Sequence, residues 1–320
     1  MRYEALDCNL QGMTNLNAAD INELNQRYAF AENDQQLVFK TGEGGLPVVE
    51  IQNQQATAVF GLQGAHLLSW IPKGQEEVIW LSDAATFAPG KSVRGGIPVC
   101  WPWFGAHESN PTFPAHGFAR TTMWTVADVF SLESGEIQVS FELNTKVLDA
   151  PLQKMWPQQT RLAYSITIGR SLSLELTTFN NSEETITIGQ ALHTYFNVGD
   201  VTRTTVIGLD GKEYLDKPDG FKRKKQSGPV RIQNEVDRVY LQTPDDVVID
   251  NGVRKIRIGK QGSHSTVVWN PWQAVAEKMG DLGKEGYLKM LCVESANAAE
   301  DTIVIKPGAQ HTLAVVYKLE

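Results

Sequence analysis

Hydrophobic and polar residues alternate with a period of two along much of the chain. Every second residue is apolar in "IQVSFEL" (137–143), and the alternation recurs in "RLAYSITIGRSLSLEL" (161–176) on both sides of Gly169-Arg170. Successive side chains of a β-strand point to opposite faces, so this pattern predicts strands with one buried face. We expect two strands joined by a turn at Gly169-Arg170.

Turn signals separate further strands toward the C-terminus. "VVIDNGVRKIRIG" (247–259) contains Asn251-Gly252, a strong hairpin signal, and "DTIVIKPGAQHTLAVVYKL" (301–319) predicts two strands about a Pro-Gly turn. Helical patterns do not separate the strands often enough for parallel βαβ units. The sequence therefore predicts an all-β fold, a large antiparallel β-sandwich.

One helical segment is predicted near the N-terminus. In "NAADINELNQRYAFAE" (17–32), Ile21, Leu24 and Tyr28 recur at helical spacing, and Asn17 is a suitable N-cap. We expect residues 1–35 to form a short helical lead-in, to which we assign no role. Residues 36–320 are expected to form a single domain, because no repeat or low-complexity linker divides them.

Charge and composition narrow the classes of function. The 320 residues carry a net charge of −8, which argues against a broad nucleic-acid-binding surface. The one basic run, "FKRKKQSG" (221–228), is interpreted as a solvated loop. No apolar run approaches the roughly 20 residues that span a bilayer, and the first residues lack the apolar core of a secretory signal. We expect a cytoplasmic monomer with neither membrane nor nucleic-acid partners.

The cysteines and histidines give no metal or disulfide signature. Cys8, Cys100 and Cys292 are widely spaced with no CxxC pair, and the two later ones lie in apolar runs, where we expect them to be buried. The histidines form no HExxH or HxH pattern, and a GxSxG motif is absent. We expect neither a metal nor another cofactor.

Four segments combine ionisable residues with unusual backbone or an apolar context. They are "SVRGGIPVCWPWFGAH" (92–107), "PAHGFAR" (114–120), "GQALHTYFNVGD" (189–200) and "LKMLCVESAN" (288–297). Their candidate functional residues are Arg94, His116, Arg120, His193 and Glu294. Each also has a structural interpretation: the arginines as surface ion pairs, the histidines as loop or strand residues with a fixed tautomer, and Glu294 as a solvated residue after an apolar strand.

Together these motifs resemble a known family. "VRGGIPVCWPWFG", "HGFAR", "LHTYFNV" and "CVESAN" occur in the order and at the separations found in the hexose-6-phosphate mutarotases. These are the glucose-6-phosphate 1-epimerases of the galactose-mutarotase-like superfamily, and the resemblance covers the chain from about residue 36 onward. It implies a supersandwich of antiparallel sheets, with a sugar site on a concave face.

The resemblance also implies an acid–base mechanism. His193 of "LHTYF" is similar to the family's general acid, and Glu294 of "VESAN" is similar to its general base. Exchange of α and β anomers requires removal of the O1 proton while O5 is protonated. We expect Glu294 to be ionised near neutrality and His193 to be protonated beside a dianionic substrate. No cofactor is required.

Further residues are implied to bind the substrate. Arg94 and Arg120 are similar to the arginines that meet the 6-phosphate, and His116 and Asp237 of "VDRVY" to ligands of sugar hydroxyls. Some members carry glutamine where this chain has Ala115, so a sugar contact is lost there or replaced by water.

The glycines and aromatic residues of the loop around Arg94 have predicted roles. We expect Gly95-Gly96 to let the backbone approach the ligand closely. Trp101, Trp103 and Phe104 should anchor the loop, with one of them facing the sugar; the sequence does not select which.

Two other functions remain open on sequence grounds. A non-catalytic sugar-phosphate-binding protein would keep the arginines and need neither His193 nor Glu294. A glycoside hydrolase or lyase would need two carboxylates beside the scissile bond, and Asp237 is the only candidate partner for Glu294.

Overall fold

The computed structural model describes residues 18–320, which lie mostly in antiparallel β-strands. The α-helices of this range are α1 (Ala18–Tyr28), α2 (Ala150–Met155), α3 (Trp272–Met279) and α4 (Gly286–Lys289). None of these helices has the length and apolar character needed to span a bilayer.

The strands of residues 18–320 are short to medium in length. The first twelve are β1 (Phe30–Glu32), β2 (Gln35–Thr41), β3 (Pro47–Gln52), β4 (Ala56–Gly61), β5 (His66–Pro72), β6 (Val99–Cys100), β7 (Thr125–Ser131), β8 (Ile137–Asn144), β9 (Thr160–Ile168), β10 (Leu172–Asn180), β11 (Ile186–Ile188) and β12 (Gln190–Leu192). The others are β13 (Tyr195–Asn197), β14 (Thr205–Ile207), β15 (Glu213–Asp216), β16 (Lys222–Lys225), β17 (Val230–Arg231), β18 (Val236–Leu241), β19 (Val247–Asp250), β20 (Lys255–Gln261), β21 (Ser265–Asn270), β22 (Met290–Asn297), β23 (Ile303–Ile305) and β24 (Gln310–Leu319).

Within the described range these strands form two large sheets and two smaller ones. The nine-stranded sheet has the order β17-β14-β19-β20-β24-β10-β9-β8-β7. The eight-stranded sheet has the order β16-β15-β18-β21-β22-β12-β6, with β13 also paired to β22. Strands β1 to β5 form a five-stranded meander, and β11 pairs with β23. The predicted all-β antiparallel architecture is confirmed.

The predicted strand pairs near the middle of the chain are confirmed. β9 and β10 pair from Ile168 opposite Leu172, so residues 169–171 form the turn. β8 and β9 each bury alternate residues, as the period-two pattern requires. Asn251-Gly252 lies in the connection between β19 and β20, where Gly252 has φ +79°.

The two ends of the described range differ from the sequence expectation in detail. The helix ends at Tyr28, and the last residues of the predicted segment form β1, which pairs with β2. The suggested N-cap, Asn17, lies outside the described residues. Strands β23 and β24 both form, but β23 pairs with β11 whereas β24 joins the nine-stranded sheet. The division at residue 36 stays a prediction.

The basic run is a strand and not the loop that charge suggested. Lys222–Lys225 forms β16 at the edge of the eight-stranded sheet, paired with β15. Acidic partners lie beside it: Lys224 Nζ is 2.6 Å from Asp216 Oδ2, and Arg223 pairs with Glu213. Opposite charges on adjacent strands allow a highly charged segment to pair at an edge.

Strand β22 is buried on both faces, and this arrangement creates the environment of Glu294. Leu291 and Val293 belong to the main core, whereas Cys292 and Ala296 belong to two smaller apolar clusters. Alternate side chains point to opposite faces, so Glu294 shares a face with Cys292 and Ala296. We call this face of the eight-stranded sheet, turned away from the main core, the site face.

Candidate active site

His193 and Glu294 meet because a strand is interrupted beside β22. β12 and β13 pair with β22 in the same register on both sides of the break, so His193 falls opposite Glu294. At the break the amide of His193 donates to the carbonyl of Pro98 (3.0 Å). The imidazole Nε2 lies 3.4 Å from the carboxyl Oε1. Sheet register therefore joins two residues that are far apart along the chain.

Glu294 is not the solvated rim residue that its local sequence allowed. It lies inside β22 and is only 1% exposed. Strand β22 continues past Glu294 to Asn297, so Glu294 lies within the strand and not at its end.

Burial moves both members of the pair toward their neutral forms. The pKa of Glu294 is raised well above its usual range by burial and then by the charge of Asp237. The pKa of His193 is lowered well below 6.5 by burial and then by His116 and Arg120. This environment opposes the expected ionised Glu294 and favours a carboxylic acid beside a neutral imidazole. In these neutral forms the two groups together hold one proton.

Each member of the pair also has a buried atom with unused hydrogen-bonding capacity. Nδ1 of His193 and Oε2 of Glu294 have no hydrogen-bond partner on another residue of the described chain. Buried polar atoms are nearly always paired in folded proteins. These two atoms are therefore available to a polar ligand.

His116 is held beside His193 by an unusual backbone. Its φ is +66°, in the left-handed region that non-glycine residues seldom adopt, and its ring centroid lies 5.7 Å from that of His193. The next residue must be glycine, because a Cβ on Gly117 would lie 1.9 Å from the carbonyl oxygen of Trp101. Burial, followed by the charge of Arg120, lowers the pKa of His116 to about 3. A neutral imidazole results.

Arg94 already has protein partners on two of its nitrogens. Nε donates to Asp281 Oδ1 at 3.1 Å, and Nη1 donates to the hydroxyl of Tyr195 at 2.9 Å. Its Nη2 donates no hydrogen bond within residues 18–320. Arg94 is thus fixed in place with part of its donor fork still free.

The glycines after Arg94 pack closely against the protein itself, and their approach to a ligand stays a prediction. A Cβ on Gly95 would lie 2.6 Å from the Cα of Leu81, and one on Gly96 would lie 2.3 Å from Nε2 of His66. His66 lies behind this loop, with Nε2 2.8 Å from the carbonyl oxygen of Gly95. Both glycines also have positive φ, so close packing and backbone conformation together require them.

Arg120 lies in the short 3-10 helix Ala119–Thr121 and bonds locally. Its Nη2 donates to the carbonyl oxygen of Ala115 at 2.8 Å. Its charge lowers the pKa of both His116 and His193, after the larger effect of burial. Of the cationic side chains, Arg120 lowers the pKa of these two histidines the most. Ala115, where some members of the family carry glutamine, contributes its carbonyl oxygen to the bond with Arg120.

Asp237 joins the same face through β18. It is opposite Trp269 of β21, which is opposite Cys292 of β22, so the three side chains share the site face. Lys217 Nζ lies 2.7 Å from Asp237 Oδ2. The charge of Lys217 lowers the pKa of Glu294 while that of Asp237 raises it, so both lie within electrostatic range of the carboxyl.

Of the three loop aromatics, Phe104 approaches the candidate site. Its ring lies edge-on to His116, with centroids 4.8 Å apart. Trp101 is completely buried against Phe118 and Trp156 in the main core. Trp103 packs on Phe113 instead.

Sequence reasoning missed three residues of this region: Tyr195, Lys217 and Asp281. Tyr195 lies two residues after His193 in "LHTYF", and that spacing places both side chains on one strand face. Lys217 lies just before the basic run 221–228 and outside it. Asp281 has no local signal, because its partnership with Arg94 depends on tertiary structure alone.

One cluster of metal-type ligands occurs in the described residues. His193, Cys292 and Glu294 offer ligand atoms within 4.8 Å of one another, and these three donors together suit a thiophilic cation such as Zn²⁺. Arg94 and Arg120 oppose a dication there, since both act electrostatically on this group. Cys100 and Cys292 are free and buried, as expected.

Residues 47–318 match the sequence profile described as Aldose 1-epimerase, and the chain belongs to this family.

Particular relatives narrow the comparison. A protein of Escherichia coli (strain K12) named as a candidate glucose-6-phosphate 1-epimerase is 38% identical over 269 residues, covering 83% of this chain and 88% of the relative. One of Cenchrus ciliaris with the same name is 35% identical, covering 85% of this chain and 84% of the relative. The crystal structure of a candidate mutarotase from Salmonella typhimurium superposes with a TM-score of 0.81 at 31% identity, covering 93% of this chain and 98% of that one.

Proposed function

We propose that the protein is a hexose-6-phosphate 1-epimerase that interconverts the α and β anomers of glucose 6-phosphate and related hexose 6-phosphates. The observation that carries the proposal is the buried contact of His193 with Glu294, 3.4 Å apart on the site face. The relatives named as glucose-6-phosphate 1-epimerases support the phosphorylated substrate.

The proposed reaction needs only proton transfers by this pair. Glu294 takes the proton of the anomeric hydroxyl while His193 gives a proton to O5, and the C1–O5 bond breaks to leave the open aldehyde. Rotation about C1–C2 presents the other aldehyde face to O5. The same two groups then return the protons in reverse as the ring closes.

The protonation states of the pair before and after ring opening can be compared with those that burial favours. Ring opening converts a carboxylate and an imidazolium into a carboxylic acid and a neutral imidazole. The second form is the one that burial of Glu294 and His193 favours. Because this is also the resting form of the site, the first step requires the bound sugar phosphate to favour the carboxylate and the imidazolium.

Four other residues are proposed to hold the sugar phosphate. Arg94 and Arg120 would meet the 6-phosphate, because arginine presents a planar donor fork suited to phosphate oxygens. His116, neutral and beside His193, and Asp237, with one oxygen held by Lys217, would bind sugar hydroxyls. The phosphate thereby supplies binding energy away from the reacting bond.

The decisive experiment follows the return of freshly dissolved α-glucose 6-phosphate to anomeric equilibrium by polarimetry or NMR. The protein should accelerate exchange, and Glu294→Gln should lower kcat by at least about 100-fold because the general base is lost. Glu175→Gln, on an exposed position of β10, is the matched control and should keep full activity.

Two results would contradict the proposal. Binding of glucose 6-phosphate without acceleration would favour the non-catalytic sugar-phosphate-binding protein. Release of reducing ends from oligosaccharides, with no anomer exchange, would favour a glycoside hydrolase using Glu294 and Asp237.

We further infer a cytoplasmic monomer that uses no nucleic-acid partner. The net charge of −8 and the compensated ion pairs of the basic strand β16 argue against a nucleic-acid partner. Light scattering after size-exclusion chromatography would measure the mass directly, and a dimeric mass would contradict it.

A further inference from the structure

Tyr195 contacts both functional ends of the candidate site. Its hydroxyl accepts a hydrogen bond from Nη1 of Arg94 at 2.9 Å. Its ring stacks on the imidazole of His193, with centroids 4.9 Å apart and planes inclined by 15°. The side chain is 2% exposed, so it is fixed within the protein and not a surface residue.

The stacking matters because no hydrogen bond to another residue fixes the second nitrogen of His193. Functional histidines commonly donate that N–H to a carboxylate or carbonyl, which sets the ring orientation. Here Nδ1 has no such partner in the described chain. The ring is held by packing instead: face to face on Tyr195, and edge-on by His116 and Trp269 at 5.7 and 6.0 Å.

Arg94, the other residue that Tyr195 contacts, is also held in place by its neighbours. Arg94 is held by Asp281 through Nε, and the main-chain carbonyl of Asp281 accepts a hydrogen bond from Ser82 Oγ at 2.7 Å. Trp80 also stacks on Tyr195, with centroids 5.9 Å apart. A chain of fixed groups thus runs from Asp281 through Arg94 and Tyr195 to His193.

We propose that Tyr195 is a positioning residue that fixes the imidazole plane of His193 and the guanidinium of Arg94 relative to each other. The inference rests on the proposed function, because it assigns the acid to His193 and phosphate binding to Arg94. The two parts of the tyrosine have separable roles. The hydroxyl holds the phosphate-binding arginine, and the ring fixes the imidazole plane of the acid.

Two substitutions separate these roles. Tyr195→Phe keeps the stacked ring and removes the hydroxyl, so KM for glucose 6-phosphate should rise about 5–10-fold while kcat, and KM for glucose, stay unchanged. Tyr195→Met keeps much of the volume but removes the flat ring. It should lower kcat on both substrates by about 10–100-fold, since misplacing a catalytic group by about 1 Å costs this much.

Tyr214 supplies the matched controls. It is also a buried tyrosine of the eight-stranded sheet, with its ring against Tyr240 and the guanidinium of Arg238 over it. Tyr214→Phe and Tyr214→Met should leave KM and kcat unchanged for both substrates. Thermal melting of all four variants measures the purely structural cost.

The outcomes distinguish this inference from the proposed function. A wild-type protein that does not accelerate anomer exchange refutes the function, whereas an active wild type with unchanged kcat in Tyr195→Met refutes only the role of Tyr195. Equal changes of KM for glucose and glucose 6-phosphate in Tyr195→Phe also refute it. Should Tyr195→Met fail to fold, proton NMR of the wild type decides. Upfield-shifted ring protons of His193 support stacking, and unshifted ones overturn it.

Discussion

His193 and Glu294 are ionisable side chains that the fold deprives of water. In water, at a pH between their ordinary pKa values, both side chains would be charged. Burial instead favours the neutral form of each. One proton can be shared across the 3.4 Å between them. Such a pair can give a proton at one atom of a bound sugar while it takes one at another, with no change in net charge.

We expect phosphate preference to depend on single arginines. Arg120→Ala should raise KM for glucose 6-phosphate by about 10–100-fold, with little effect on KM for glucose, because it removes charge-assisted hydrogen bonds. Arg94→Ala should act in the same direction and also leave Asp281 without its partner.

Arg161→Ala is the control for both substitutions. Arg161 forms a comparable ion pair with Glu142 (3.2 Å) on strands of the nine-stranded sheet, and its loss should leave both KM values unchanged. Steady-state kinetics on the two sugars measure the effect. Equal increases for glucose and glucose 6-phosphate would show that the arginines do not bind phosphate.

At the scale of elements, strands carry part of the site and tight turns carry the rest. β18 and β22 contribute Asp237 and Glu294, whereas His116 lies in a turn with positive φ. Backbone strain of this kind persists where surrounding structure compensates for it, and it is common in functional sites. The turn holding His116 depends on close contact between Gly117 and the loop at Trp101.

Gly117→Ala should therefore destabilise the protein by about 3 kcal/mol or more, because a Cβ meets the Trp101 carbonyl in addition to the left-handed penalty. Gly199→Ala has a similar φ of +72° with no atom within 4 Å of the added Cβ, so it should cost only about 1 kcal/mol. Urea denaturation of both variants measures the difference. Equal costs would mean that the turn shifts freely, and His116 is then not rigidly placed.

At the scale of the whole molecule, burial of histidines in and near the candidate site makes the stability of the folded protein depend on pH. Burial lowers the pKa of His66 to about 4 and that of His116 to about 3, against about 6.5 in an unfolded chain. The unfolded chain therefore binds more protons below pH 6.5, and stability decreases as the pH falls. Near pH 5.5 the His193–Glu294 pair holds about one proton in both states, so its two opposite shifts cancel.

The free energy of unfolding should accordingly fall by about 2 kcal/mol per pH unit between about pH 6 and pH 5. Urea titrations at a series of pH values measure this slope. His66→Gln should reduce the slope by about half. A flat profile, or an unchanged slope in His66→Gln, would show that His66 is not buried as a neutral group.

Local sequence determined where the strands lie and which candidate catalytic and binding residues the chain carries. Alternating apolar residues fix which face of β8 and β9 is buried, because side-chain direction in a strand follows from covalent geometry. Four motifs were sufficient to predict the family, and with it an acid, a base and two arginines. The predicted helix end at Glu32 and the predicted loop at residues 221–228 were wrong: the helix ends at Tyr28, and Lys222–Lys225 forms a paired strand. Neighbouring strands override local propensity in both places.

Only the tertiary structure decided how these residues meet. Register across the break between β12 and β13 brings His193 opposite Glu294, and long-range register is not encoded in any local window. The burial that shifts their protonation comes from surfaces contributed by distant strands. The same is true of Asp281 on Arg94 and of Lys217 on Asp237, which are contacts between segments that share no local pattern. The chain specifies its chemical groups locally, but their pKa values and partners arise from packing.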